Sequence, residues 1–486
     1  MNFDPYSYNS WIYLLYLITV IFTVITIIQQ KGNPPKTISW ILVITFIPVV
    51  GIILYFYIGK NYRKEKIFSR KGLSDLRRLN EFSIKQGVSI PTRSTGTRKI
   101  GAQVNIAKLL MNTEKAMLSD KNNVDVLNDG QATFWAIFQA LESAEHHIHL
   151  EYYIIENDRI GNRVREILIR KALEGVEVKV IYDDIGSWSL DKKFINPLKD
   201  AGVKIYPFMP VKLMFYPLAN KINHRNHRKI IVIDGKVGFV GGLNIADRYI
   251  FGSEELGRWR DTHLRIEGEA VHSLQMHFFA DWYFVSKEVL KISAVYFPEM
   301  TIDNECLVQI VASGPDSEWA SIMQAYFYAI ATAKSEVFIA TPYFIPNESI
   351  LTAIKTVALG GVDVRILMPA RADSFLTYRA SLSFVGELLD SGVKVYLYES
   401  GFNHSKLMMV DKGFCSVGTA NMDIRSFDQN FEINALMYNE KITEELRSRF
   451  LQDLEHSKLL TLKEWENRPR INSMKESVAR VFAPML

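Results

Sequence analysis

From residue 124 onward the chain repeats itself. The first copy predicts a strand over 124–127, a turn at Gly130, and a helix with Phe134, Ile137, Phe138 and Leu141 on one face. A strand over 149–155, a helix closing at Gly175 and a strand over 176–182 follow. The second copy gives the same order: a strand over 307–311, Gly314, a helix over 322–330, a strand over 337–345, a helix closing at Gly361, and a strand over 362–367. Later, AGVKIY at 201–206 is echoed by SGVKVY at 391–396. Alternating strands and helices argue for layered α/β lobes. A repeat this long, met only twice, reads as a duplicated pair of lobes rather than a solenoid. Packed about a pseudo-two-fold axis, such lobes bring equivalent residues face to face.

The chemistry-bearing residues fall at equivalent points. His227, Lys229 and Asp234 in the first copy, and His404, Lys406 and Asp411 in the second, both fit H-x-K-x4-D. Each motif runs on into a glycine-rich turn with an asparagine, Gly241-Gly242-Leu243-Asn244 and Gly418-Thr419-Ala420-Asn421. Chance yields on the order of 0.03 such motifs in a chain of this composition, so two with matching flanks carry weight. Residues two apart on a strand share a face, so His and Lys project together. The aspartate, of opposite parity and in the first copy followed by the turn residue Gly235, takes a mainly structural, hydrogen-bonding role within the catalytic motif. Two imidazoles, two ammonium groups and the amides of Asn244 and Asn421 suit a phosphodiester. The cations and amides hold its non-bridging oxygens, one histidine attacks phosphorus, and the other handles the leaving and incoming protons. No metal is required, and no cofactor is expected. A histidine in such a role needs an orienting carboxylate. Asp261 is expected to serve His227, and Glu432, at a similar distance past the second motif, to serve His404.

The N-terminal part differs in kind. Residues 11–28 and 38–58 carry no charged side chain, and Pro48 and Gly51 are the helix-weakening residues of the second stretch. Each approaches the roughly 20 residues a helix needs to cross a bilayer core. Trp11, Tyr13, Tyr16, Trp40, Tyr55 and Tyr57 are placed like interfacial anchors. Lys60, Arg63, Lys64, Lys66, Arg70 and Lys71 follow the second stretch, against Lys31 and Lys36 between the two and none before Trp11. That bias puts both termini in the cytoplasm. The expected domains are a transmembrane hairpin over 1–60, a basic juxtamembrane region and linker over 61–120, a first lobe over 121–300, and a second lobe with its tail over 301–486. A net charge of +4 excludes a polyanion-coating protein, and two cysteines, Cys306 and Cys415, exclude a disulfide framework.

The paired motifs with their turns resemble the phospholipase D superfamily. The N-terminal stretches, Thr341-Pro342-Tyr343-Phe344-Ile345-Pro346 and Asn421-Met422-Asp423-Ile424-Arg425-Ser426-Phe427 are similar to bacterial cardiolipin synthases. The resemblance implies two α/β lobes, each a mainly β sheet flanked by helices, behind a transmembrane hairpin in a bacterial plasma membrane, with a cytoplasmic catalytic domain. It implies transfer of a phosphatidyl group from one phosphatidylglycerol to another, giving cardiolipin and glycerol through a phosphohistidine, with His227 the favoured nucleophile. Gly242 stands where many relatives carry serine, and a backbone amide is expected to replace that hydroxyl. Water or another alcohol as acceptor, making the enzyme a phospholipase D-type hydrolase or a different transphosphatidylase, stays open at this stage. Oligomeric state is not legible, and modest charge with two apolar stretches argues against nucleic acid. A scaffold with degenerate motifs would have lost a His or Lys, and all four are present.

Other features are weaker. His146, His147 and His149 read as plain strand and surface histidines rather than metal ligands, and His272 and His277 as structural. His224 is expected to be a solvated loop histidine, with lining of the site entrance the alternative. The apolar segment 209–218 is either a buried connector or a loop that dips into the bilayer interface. The tail, with Met474, Val478, Val481, Phe482 and Leu486 at helical spacing, is either an interfacial helix or one docked on the core.

Overall fold

The computed structural model describes residues 8–29, 34–55, 103–210 and 224–485. They fall into two units, an N-terminal one and a large one that holds both copies of the repeat.

The N-terminal unit begins with helix α1, Tyr8–Gln29, whose Leu15, Ile18, Ile21, Phe22, Ile25 and Ile28 are exposed. The second apolar stretch, expected as one span, is two helices: α2, Pro34–Phe46, and α3, Pro48–Leu54. Proline lacks the N–H that would bond back one turn, and it disfavours helical geometry in the residue before it. Ile47 accordingly leaves the helix at φ −133° and ψ 68°. The chain then folds back on itself, and the Trp40 and Tyr55 rings meet edge to face at 5.5 Å. A straight helix would hold residues 15 apart at roughly 22 Å. Gly51 permits the fold, since a Cβ there would lie 2.9 Å from the Val43 carbonyl oxygen. No helix among the described residues is long and apolar enough to cross a membrane.

In the large unit the duplication is visible strand for strand. The first lobe's seven-stranded sheet runs, edge to edge, Asn122–Leu127, His263–Gly268, Val237–Gly241, Lys229–Ile233, His147–Tyr152, Glu177–Asp183, Lys204–Phe208. The second lobe repeats that order as Val308–Ser313, Glu432–Met437, Phe414–Gly418, Leu407–Val410, Glu336–Ala340, Asp363–Pro369, Lys394–Tyr398. It adds Leu118–Ser119 at one edge and Ser457–Leu459 at the other. The crossover helices Arg159–Leu173 and Glu348–Leu359 begin at equivalent caps, the Asp158 and Asn347 side chains accepting from the Gly161 and Ile350 amides. Between the lobes lies one apolar core, in which Ile230, Val232, Val240 and Leu264 meet Leu407, Met409, Ile433 and Ala435. Burial on both faces explains why the motif strands read as unbroken apolar runs.

One boundary differs from expectation. Helix Val104–Thr113 and strand Leu118–Ser119, placed in the linker by sequence, are part of the second lobe: Ile106, Leu110 and Leu118 join its core. The expected helix near 73–84 and the apolar loop beyond Pro210 lie outside the described residues, while Met209 is buried among Phe208, Phe278 and Trp282.

Candidate active site

Each motif histidine stands at the entry of a central strand, just ahead of Lys229–Ile233 or Leu407–Val410. The residue before it is tied to the opposite lobe. Asn226 bridges Phe431, with the His227 amide donating to the Phe431 carbonyl at 2.9 Å. Gly401–Asn403 pairs in parallel with Arg258–Arg260, and the His404 amide donates to the Arg260 carbonyl at 2.7 Å. Phe431 precedes Glu432 and Arg260 precedes Asp261, so each strap delivers a carboxylate to the histidine of the other lobe. His227 Nδ1 lies 3.0 Å from Glu432 Oε2, and His404 Nδ1 lies 2.7 Å from Asp261 Oδ2.

This corrects the expected pairing of Asp261 with His227 and Glu432 with His404. Within a lobe, the strand that follows the acid is two strands from the one that follows the histidine. At about 4.8 Å per strand that gap is near 10 Å, too wide for a hydrogen bond. The partner lobe closes it. Carboxylates accept only, as does the Thr419 carbonyl 3.1 Å from His227 Nδ1, so Nδ1 carries the hydrogen and Nε2 the lone pair in both neutral rings.

Lys229 Nζ donates to the His227 carbonyl at 2.8 Å, and Lys406 Nζ to that of His404, folding each ammonium back beside its own imidazole. All four groups are buried and interact. Burial, then offset in part by Glu432, holds His227 down at about 4, with both lysines adding to the depression. His404 is also driven well below its ordinary value by burial and then by Lys406, Lys229 and His227. Burial lowers Lys229 to about 7 and Lys406 to about 8, against the pull of Glu432 and Asp261. Desolvated cations beside two lone-pair imidazoles make a site short of negative charge, a phosphate's complement.

The dyads are not identical. Glu432 is held below the usual carboxylate range despite burial, because His227, the Thr419 hydroxyl at 2.5 Å and Lys229 favour its charged form. Asp261 is pushed up by burial, against Lys406 and the Thr262 amide, which donates to it at 2.7 Å. That amide takes the place of the hydroxyl missing at Gly242. A Cβ on Gly242 would sit 2.1 Å from Asp261 Oδ1, so glycine is required where Asp261 lies. Gly242→Ser is expected to dislodge Asp261 and lower kcat by about 10²-fold with the fold intact by circular dichroism. A kcat within twofold of the parent would refute it.

Asp234 and Asp411 are not at this site. They end the motif strands in left-handed conformations, φ 53° and 51°. Asp234 accepts from the amides of Glu145, His146 and His147, and Asp411 from those of Lys334, Ser335 and Glu336. They fix the turn that starts the neighbouring strand. The Asn244 amide donates to the Tyr249 hydroxyl at 2.5 Å and its oxygen accepts from Ile154 N. Asn421 bonds Asp423, which burial raises to about 6.

Sequence reasoning missed Tyr153, whose ring lies 5.0 Å from His227 with Lys229 over its face, and Thr419, hidden in a turn valued for its asparagine. His224 is buried rather than solvated, with Nδ1 2.9 Å from the Gln429 carbonyl. His147 and His149 are likewise buried, on Gln275 and Glu177, and no metal-binding cluster occurs among the described residues.

The family described as cardiolipin synthase, PLD-like domain, matches residues 137–282 and 326–454, and a phospholipase D-nuclease N-terminal family matches 17–60. A cardiolipin synthase of Alkalihalophilus pseudofirmus is 44% identical over 475 residues, 97% of this chain and 93% of that one. One from Listeria innocua is 40% identical over 479 residues, 97% and 98% of the two chains. Among solved structures, phosphatidylserine synthase from Haemophilus influenzae aligns at a TM-score of 0.58 and 15% identity, covering 78% of this chain and 97% of that one, a likeness of fold.

Proposed function

The chain belongs to the cardiolipin synthase family, and from that membership and the reciprocal dyads we propose that it is a phosphatidyltransferase making cardiolipin from two phosphatidylglycerols. The carrying observation is that each imidazole is oriented by the opposite lobe's carboxylate, which supports one site shared by both halves and one reacting phosphorus. His227 Nε2 attacks the phosphorus of the first lipid. The P–O bond to the headgroup glycerol breaks, and that oxygen takes a proton from His404. The phosphate anion offsets the depression that the two lysines impose, so the imidazole can hold that proton. A hydroxyl of the second lipid's glycerol then gives its proton to His404 and attacks, breaking the P–N bond of the phosphohistidine. Lys229 and Lys406 neutralise the non-bridging oxygens throughout, and Asn244 and Asn421 contribute through their amides.

The N-terminal unit is read as the membrane anchor. Helix α1 runs for 22 residues. Its exposed leucine, isoleucine and phenylalanine side chains suit lipid. The basic run from Lys60 to Lys71 supports a cytoplasmic catalytic unit at a bacterial plasma membrane. Release of the protein from membranes by alkaline carbonate would overturn this placement.

The test of the reaction is lipid mass spectrometry on purified protein in phosphatidylglycerol vesicles. Cardiolipin with equimolar glycerol is expected. Phosphatidic acid without cardiolipin would make water the acceptor and replace this reading with hydrolysis.

A further inference from the structure

The C-terminal helix Arg470–Val481 resolves the choice between docked and interfacial by being docked on one side only. Glu476 and Ala479 are buried, with Glu476 bonded by Arg468 and facing Arg379 of helix Phe375–Leu382. The opposite side carries Ile471, Met474, Val478 and Val481, each at least half exposed. At 100° per residue these four and the half-exposed Phe482 form a stripe roughly 100° wide. Arg470 borders the stripe on one flank and Lys475 on the other, both exposed, and the exposed Phe375 lies on the helix beneath.

We propose that this stripe is a lipid-contacting surface that seats the catalytic unit on an anionic bilayer with its site turned toward the membrane. An apolar ridge between basic flanks is the pattern of a helix lying in the headgroup region, the long cationic side chains reaching to lipid phosphates. The helix end is tied to the site through a short chain of contacts. The helix ends in the turn Ala483–Met485, which packs on Ile424–Asp428, and the Pro484 carbonyl accepts from Gln429 Nε2 at 3.3 Å. The Gln429 carbonyl in turn holds His224, three residues ahead of His227. A bilayer under the ridge therefore lies beside the loop that carries Asn421 and Glu432. This rests on the reading that the substrate is a bilayer phospholipid.

Cys306 and Cys415 are buried, so a cysteine introduced at Val478 can be labelled selectively with an environment-sensitive fluorophore. In the full-length protein reconstituted in phosphatidylglycerol–phosphatidylcholine vesicles, the Val478→Cys label is expected to blue-shift and be quenched by doxyl-labelled lipid. The same label at Lys412→Cys, at the strand end remote from His404, is expected to do neither. Met474→Ser, Val478→Ser and Val481→Ser combined should lower turnover of vesicle phosphatidylglycerol about tenfold while sparing short-chain, soluble phosphatidylglycerol. A Val478 label as wet as that at Lys412 overturns the proposal, and so does a blue shift without lipid quenching, which would mean a protein partner. Absence of transfer by the parent protein on either substrate would instead overturn the functional reading, leaving the fluorescence result to stand alone.

Discussion

Replacing either motif histidine by alanine is expected to abolish phosphatidyl transfer, lowering kcat by about 10⁴-fold or more. The two losses differ in kind, and a donor whose leaving group needs no proton separates them. With phosphatidyl-p-nitrophenol, His404→Ala should release a burst of nitrophenol equal to the enzyme present and then stall as a phosphohistidine. His227→Ala should release none, because nothing attacks phosphorus. The crossed carboxylates extend the test. Glu432→Gln should weaken the burst, since it removes the negative charge that holds His227 with Nδ1 protonated and Nε2 a lone pair, and puts an amide donor beside that nitrogen. Asp261→Asn should leave the burst and slow its decay. Same-lobe wiring would exchange these two phenotypes. A burst confined to His227→Ala would assign the nucleophile to His404, and near-parent activity in either alanine variant would end the shared-site account.

That wiring also marks where the sequence stops being readable. The duplication, the motif strands and the pairing of one acid with each histidine follow from apolar runs and repeated spacing. Whether Asp261 serves its own lobe or the other does not, because a two-fold arrangement gives both answers the same spacing. Only the strand order, which sets two acid-bearing strands apart from the histidine strands, decides it. At Pro48 the proline was legible as a weak point, but a fold-back needs the close approach that Gly51 allows, and that is tertiary. In the C-terminal helix the 3.6-residue periodicity showed an apolar stripe and a charged face. It could not show that the face with Glu476 is the buried one, because an arginine from outside the helix satisfies that carboxylate. Residues 104–119 carried too few strand signals to be told from linker, and their burial depends on the edge strand Val308–Ser313 being free to accept them.

Arg260→Met is expected to destabilise the large unit by about 3–5 kcal/mol, seen as a thermal transition several degrees lower. The guanidinium is the pin between lobes. Its Nε lies 3.2 and 3.0 Å from the Asp453 carboxylate oxygens, and its Nη1 reaches the carbonyls of Asn128 and Asp261, the Thr262 hydroxyl at 3.0 Å and Ser405. Both side chains of the pair are more than nine-tenths buried. Methionine keeps much of the arginine's length but leaves the buried Asp453 carboxylate without its cation, and that uncompensated charge dominates the cost. Arg260→Met with Asp453→Leu removes both charges and should recover all but about 1 kcal/mol. Turnover should not recover with it, because the Asp261 carbonyl and Ser405, beside His404, still lack the donor that fixes them. A double variant as unstable as the single would show that packing, not the buried ion pair, sets the effect. One that regains full turnover would show that His404 and Asp261 are positioned without Arg260, by the backbone strap alone.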